Sequence, residues 1–239
     1  MESCHLPGEI INLAHLDPSR KICLGNGIEK RGDMFVTCQP GLLRCDDNKT
    51  WVSVHSKRYI PFKGDRVIGI VTNKLGDFFK VDIGYSDLAL INFLSFEGAT
   101  KRNRPNLKTG DIIYAQVSEA SPHLEPELTC IDSVSRAKGL GILTEGLMFK
   151  TPLHLARRML SPKNKLMELL GEEFKFEITV GLNGRSWLKS GKPLDTMTLR
   201  RIILASEYVL EESIPKFVEE EIQKSKKKTA KSIYFNSCT

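Results

Sequence analysis

Apolar and polar positions alternate most densely between Gly64 and Asp132. Gly64-Asp65 and Gly110-Asp111 each open a β-branched run, Val67-Ile68-Gly69-Ile70-Val71 and Ile112-Ile113-Tyr114-Ala115-Gln116-Val117. Glycine gives a tight turn its backbone freedom and aspartate bonds the turn's own amides. Valine and isoleucine fit a pleated, half-buried surface. Between the two runs Phe79-Lys80-Val81-Asp82-Ile83 alternates, so Phe79, Val81 and Ile83 share one face. Leu88-Ala89-Leu90-Ile91-Asn92-Phe93 and Leu128-Thr129-Cys130-Ile131 complete a set of five short strands. That pattern predicts a small closed or nearly closed β-barrel of the OB type over residues 61–133.

The flanking sections carry different patterns. Residues 1–60 are Gly-rich and strand-like and predict a small β-domain. It has a turn at Leu6-Pro7-Gly8, a tight hairpin at Asn26-Gly27, and strands at Met34–Cys38 and Trp51–His55. These last two are joined through Pro40-Gly41 and the polar stretch Asp46–Lys49. Tyr59-Ile60-Pro61 reads as a linker. After the barrel, Ser133–Gly146 reads as a connector, and the period then changes. Leu147–Lys150 predicts a strand. A helix follows, capped by Thr151-Pro152, with Leu153, Ala156, Arg157 and Leu160 on one face and a stop at Ser161-Pro162. A second helix is predicted from Lys163 to Leu170, ended by Gly171. Phe174–Val180 and Arg185–Lys189 form a hairpin around Asn183-Gly184. A long helix from Leu194 to Glu212 is capped by Asp195 or Thr196 and buries Leu199, Ile202, Ile203, Tyr208 and Leu210. A last helix spans Lys216 to Gln223. The order β-α-α-β-β-α over residues 147–223 is that of a KH-type α+β domain. Residues 224–239 hold a lysine-rich, polar tail of the kind that stays disordered. The fold class is therefore multidomain, β followed by α+β.

Composition narrows the partners. A chain of 239 residues with 41% hydrophobic and 27% charged content has an ordinary globular balance. Its 35 Lys and Arg against 29 Asp and Glu give +6, a mild bias compatible with an acidic polymer. No run approaches membrane-spanning length, and Met1–Gly8 lacks the pattern of a secretory signal. The six cysteines are scattered with no C-x-x-C spacing. They read as reduced thiols of an intracellular protein rather than as a metal site.

The candidate chemistry lies in the long barrel connection from Leu94 to Thr109. Thr100-Lys101-Arg102-Asn103-Arg104-Pro105 packs three cations into four residues with no carboxylate between them. Such a spot suits phosphate, and OB barrels commonly hold single strands with their loops. The competing reading is a solvated basic loop. Gly181-Leu182-Asn183-Gly184 has the form of the G-x-x-G loop with which KH domains clamp a nucleic-acid backbone. It falls between two strands, however, where Asn-Gly is a hairpin turn, so Gly181, Asn183, Gly184 and the neighbouring Trp187 read as a structural motif. Asp77 reads as a turn residue. Asp46-Asp47 and Glu219-Glu220-Glu221 read as solvated charge, and no carboxylate motif for a metal-dependent nuclease stands out. No catalytic residue, metal site or cofactor is assigned.

Several stretches together resemble a known family: Arg58–Pro61, Gly64–Val71, Leu94–Pro105, Gly110–Tyr114 and Gly181–Trp187. They are similar to the ribosomal RNA-processing protein 40 family, non-catalytic cap subunits of the eukaryotic RNA exosome. The resemblance covers nearly the whole chain to about Glu212 and implies an N-terminal β-domain, an S1-like barrel and a KH domain. It implies seating on a ring of RNase PH-like subunits beside other cap subunits. There the chain would help guide single-stranded RNA to an associated 3′-to-5′ exoribonuclease, in rRNA processing and RNA decay, in nucleus, nucleolus and cytoplasm, with no membrane partner. It places Lys101, Arg102 and Arg104 at the RNA entrance and treats the Gly181–Gly184 motif as structural. The alternatives are a stand-alone RNA-binding regulator or translation factor built from the same modules, and a nuclease.

Overall fold

Residues 1–56 and 57–239 form two compact units, seen in a computed structural model. It describes residues 4–11, 23–46, 49–121, 123–132, 134–161, 164–210 and 213–224. Asp47, the helix stop at Pro162, and the lysine-rich tail from 225 onward with Cys238 lie outside the described residues.

The first unit carries strands β1 (Cys4–His5), β2 (Ile10–Ile11), β3 (Cys23–Leu24), β4 (Ile28–Arg31), β5 (Met34–Thr37), β6 (Gly41–Asp46) and β7 (Lys49–Ser53). They form two sheets, β1-β6-β7-β3 and β2-β5-β4. Strand β6 lacks β-branched residues, and the sequence pattern passed over it; pairing with β1 on one side and β7 on the other fixes it. Asn26-Gly27 does turn the chain, with Gly27 at φ +83°, but it does not close a hairpin. Strand β3 pairs with β7 and β4 with β5. The Asn26 carbonyl accepts from Val52 N at 3.0 Å, and the Gly27 carbonyl from Cys38 N at 2.8 Å. Tertiary hydrogen bonds, not the dipeptide, chose the strand partners.

The barrel of the second unit is built from β8 (Arg66–Leu75), β9 (Phe78–Asp82), β10 (Ala89–Asn92), β11 (Ile112–Ser121) and β12 (Leu124–Thr129). Neighbours run β12-β10-β9-β8-β11, and the ring closes because β11 also pairs with β12. The β10–β12 pairing is parallel. Register shifts after Val71 in β8 and after Val117 in β11 bend these long strands around the barrel. The alternation read from the sequence holds: Phe79, Val81 and Ile83 are buried with Val67, Ile91 and Ile113 in one apolar interior. Two connecting segments belong to this body. Tyr59 is buried against the barrel core and donates its hydroxyl to Asp65 Oδ2 at 2.8 Å, so Tyr59–Pro61 is no free linker. Burial, and then the Asp65 charge, push the Tyr59 phenol well above the usual tyrosine range. Within the expected connector, β13 (Gly141–Leu143) pairs antiparallel with β11, and Leu140 joins the barrel core.

The last part has β14 (Leu147–Lys150), α1 (Leu153–Leu160), α2 (Leu166–Glu173), β15 (Phe176–Val180), β16 (Arg185–Ser190), α3 (Pro193–Ala205) and a helix α4 at 214–224. The sheet order is β14-β16-β15, all antiparallel. The predicted order is observed, with shifted edges. Helix α1 buries Leu155, Ala156 and Met159 rather than Leu160. Helix α2 starts late because Asn164 Oδ1 accepts from Leu166 N at 2.8 Å. It runs through Gly171, which faces open space. Pro193, not Asp195 or Thr196, opens α3. That helix stops at Ala205 because Ser206 Oγ donates to the Ile203 carbonyl at 2.7 Å. The Arg158 guanidinium also takes the Ser206 and Val209 carbonyls. With the helix ended, Tyr208 and Leu210 are exposed rather than buried.

Candidate nucleic-acid interface

The Leu94–Thr109 connection is long but held at several points. Its first turn, Phe93–Ser95, is capped by Asn92 Oδ1, which accepts from Leu94 N at 2.9 Å. Phe96 and Leu107 drop into the barrel core. At the far end Asp111 Oδ2 accepts from Lys108 N at 2.7 Å. The tip is a small hydrogen-bonded turn. Thr100 N donates to the Asn103 carbonyl at 2.9 Å, and Asn103 N to Thr100 Oγ1 at 3.0 Å. Asn103 Nδ2 reaches back to the Gly98 carbonyl at 3.2 Å. Lys101 and Arg102 occupy the middle of that turn, exposed, with no ion pair or ring contact among the described residues. Arg104 differs. Its Nη1 lies 3.2 Å from Asp77 Oδ1, and its guanidinium carbon lies 4.5 Å from the centre of the Phe93 ring. Asp77 is in the β8–β9 turn, as the sequence implies, and is also an ion-pair partner.

The Gly181–Gly184 turn faces the barrel. Asn183 is buried; its Oδ1 accepts from Ile68 N at 3.2 Å, and its Nδ2 donates to the Ile68 and Ile83 carbonyls at 2.8 Å each. A Cβ on Gly181 would lie 2.8 Å from Ile68 N. Gly184 sits at φ +71°, with its position hard against the Thr151 carbonyl. Next to the turn, Arg185 Nη2 bonds Asp82 Oδ2 at 2.8 Å and Nη1 bonds the Asp82 carbonyl at 2.5 Å. Burial pushes the Asp82 carboxyl up, but the bonds from Arg185 and from Gly84 N outweigh it and hold the carboxyl below its ordinary value. Trp187 is buried in β16, and its indole fills the place a Gly146 side chain would occupy. Gly181 and Asn183 therefore lie at a packed junction between barrel and α+β part, Gly184 packs on Thr151 and Leu153, and Trp187 is buried against Gly146.

Comparison with known proteins gives this arrangement its relatives. Residues 59–141 match the family model for the S1 domain of exosome complex component RRP40, and residues 146–194 match a KH domain model. The human exosome complex component RRP40 is 44% identical over 198 residues, covering 80% of this chain and 72% of the human one. The Drosophila melanogaster protein of the same name is 43% identical, covering 84% and 88%. The chain belongs to the RRP40 family. A crystal structure provisionally assigned as an exosome complex RNA-binding protein superposes with a TM-score of 0.55 at 27% identity. That match covers 70% of this chain and 98% of the other.

Two features of this RRP40-family chain were not visible in the sequence. One is the face formed by β9, β10 and β12. Exposed Phe78 and half-buried Leu90 lie there with exposed Leu124, beside the exposed acids Glu119, Glu125 and Glu127. Lys80 spans to Glu125 at 3.5 Å. This is the strand face with which OB folds commonly meet oligonucleotides, and here it is apolar and acidic. Residues from strands far apart in the chain compose it, so no local motif announces it. The other is Glu221, expected as solvated charge. It is largely buried and bridges Arg201 at 3.3 Å and Lys224 at 2.9 Å. Among the described residues, no group of three or more His, Cys, Asp or Glu is placed to hold a metal ion.

Proposed function

We propose that this chain is a non-catalytic, RNA-binding cap subunit of an RNA exosome. It would sit on RNase PH-like ring subunits beside other cap subunits and pass single-stranded RNA to an associated 3′-to-5′ exoribonuclease, in nucleus, nucleolus and cytoplasm. The observation that carries the reading is the hydrogen-bonded turn that lifts Lys101 and Arg102 off an S1 barrel in a chain of the RRP40 family. Lys101, Arg102 and Arg104 mark the region where phosphates meet the protein. Gly181, Asn183, Gly184 and Trp187 serve packing and leave the strand untouched. Several acids already have structural partners, Asp77 with Arg104, Asp82 with Arg185 and Glu221 with Arg201, which supports leaving bond cleavage to another polypeptide. The division into an N-terminal domain to about residue 60, a barrel to about 133 and a KH domain over 147–223 belongs to the same proposal.

Two measurements test it. Affinity purification of the tagged full chain should bring down RNase PH-like subunits in stoichiometric amounts; recovery of the chain alone argues against assembly. For RNA, each phosphate neutralised on a single strand contributes about 0.7 to the slope of log affinity against log salt. K101A/R102A in the assembled complex should therefore flatten the slope by about 1.4, with similar weakening for every RNA sequence, because phosphate contacts position a strand without reading it. An unchanged slope rejects the RNA contact.

A further inference from the structure

The three cations of the loop are not equivalent. Lys101 and Arg102 stand at the tip of a closed turn, while Arg104, two residues on, folds back onto the barrel. Its guanidinium lies over Phe93, a ring buried in the barrel core, and beside the Asp77 carboxylate. Asp77 and Phe93 are themselves joined, since Phe93 N donates to the Asp77 carbonyl at 3.1 Å. The side chain thus ties the long loop to both the β8–β9 turn and the end of β10.

We infer that Arg104 is a positioning residue: it clamps the loop so that Lys101 and Arg102 meet the phosphates, and does not itself neutralise one. The inference rests on the RNA-contact reading above and refines which residues carry it. Three physical points support it. Asp77 already compensates the Arg104 charge, so a phosphate would have to compete with a carboxylate at 3.2 Å. The Phe93 ring under the guanidinium, 4.5 Å from its carbon, adds a second attachment that holds the group against the barrel. An exposed ion pair alone holds little, and an exposed cation–π contact adds a similar amount. Acting together on one side chain, they restrain a loop already pegged by Phe96 and Leu107.

The test uses the full chain in the assembled complex, with a fluorescein-labelled oligouridylate followed by anisotropy across a salt series. R104A should weaken binding about fivefold at every salt concentration while leaving the slope unchanged, the mark of a lost preorganisation rather than a lost phosphate. D77A should act in the same direction. R104K, which keeps a cation but loses the guanidinium's contacts with Phe93 and Asp77 together, should not restore affinity. Hydrogen exchange at the Ala99 and Asn103 amides should speed in R104A and D77A while the barrel strands stay protected. Three outcomes overturn the inference with the RNA reading intact: R104A flattening the slope by about 0.7, R104K restoring it, or D77A tightening binding by releasing Arg104 to the strand. An unchanged slope in K101A/R102A removes the RNA reading and this inference together.

Discussion

At the scale of single residues, Asn183 joins two parts of the chain through one side chain. It is an uncharged amide with three hydrogen bonds to backbone groups of a strand and a strand end 100 and 115 positions earlier in the chain. Truncation leaves a buried N–H and two buried carbonyls without partners, each a cost of about 1 kcal/mol or more. N183A is expected to lower unfolding free energy by about 2–4 kcal/mol in a urea titration. N183D should be no better, because a carboxylate can accept from Ile68 N but cannot donate to either carbonyl. Loss of under half a kilocalorie would deny the junction its assigned weight. Cys130 makes the opposite case, a group made inert by its surroundings. Burial in the barrel pushes its thiol up to about 12, and thiolate is the reactive form. Cys4, Cys23, Cys38 and Cys45 are exposed. Ellman's reagent should therefore modify the exposed thiols of the native protein within minutes, and Cys130 only after denaturant is added.

At the scale of elements, what the sequence revealed and what it concealed divide by the range of the interactions. The strands of the barrel were legible because alternation is local: Phe79, Val81 and Ile83 announce a buried face whatever they pack against. The turn at Gly181–Gly184 was legible as a turn for the same reason. Element ends were not, because distant groups set them. Just past the end of helix α3, Arg158 from α1 takes the Ser206 and Val209 carbonyls, and β6 exists because two neighbours pair with it. The tie between β9 and β16 was equally hidden, since neither Asp82 nor Arg185 sits in a motif that names the other. That tie makes a pH prediction. The Asp82 carboxyl is held below its ordinary value in the folded chain, so at acidic pH the unfolded chain binds its proton first. The stabilisation is complete above the ordinary carboxylate range and is lost as pH falls through the folded value. Wild type should exceed D82N in urea midpoint at about pH 7, and the gap should close on titration toward about pH 3. A gap constant with pH would mean that the Asp82 charge plays no part.

For the whole molecule, the net charge of +6 says less than where the charges lie. The barrel presents two surfaces a single strand could use, the cationic turn at Lys101 and Arg102 and the face of β9, β10 and β12. The second has an exposed aromatic, Phe78, on which a base could stack, but Glu127 lines the same hollow, and Glu119 and Glu125 line the adjoining one beside Leu90. At separations shorter than the screening length, about 8–10 Å in ordinary buffers, these acids oppose a phosphate backbone, whereas the turn attracts it. The two routes predict different responses to one substitution. Stacking a base on an aromatic side chain contributes about 1–3 kcal/mol, so a strand lying on the face would lose roughly fivefold or more in affinity on F78A. A strand passing over the turn would lose almost nothing, since phosphate contacts to Lys101 and Arg102 do not involve the ring. Phe78 is exposed, so its truncation should leave the fold intact, which a melting curve can check. The turn route therefore requires F78A to bind oligouridylate within about twofold of wild type, with its full salt slope, while K101A/R102A loses slope. Should F78A lose affinity at constant slope and K101A/R102A keep it, the strand runs across the acidic face, and the turn is only a solvated loop.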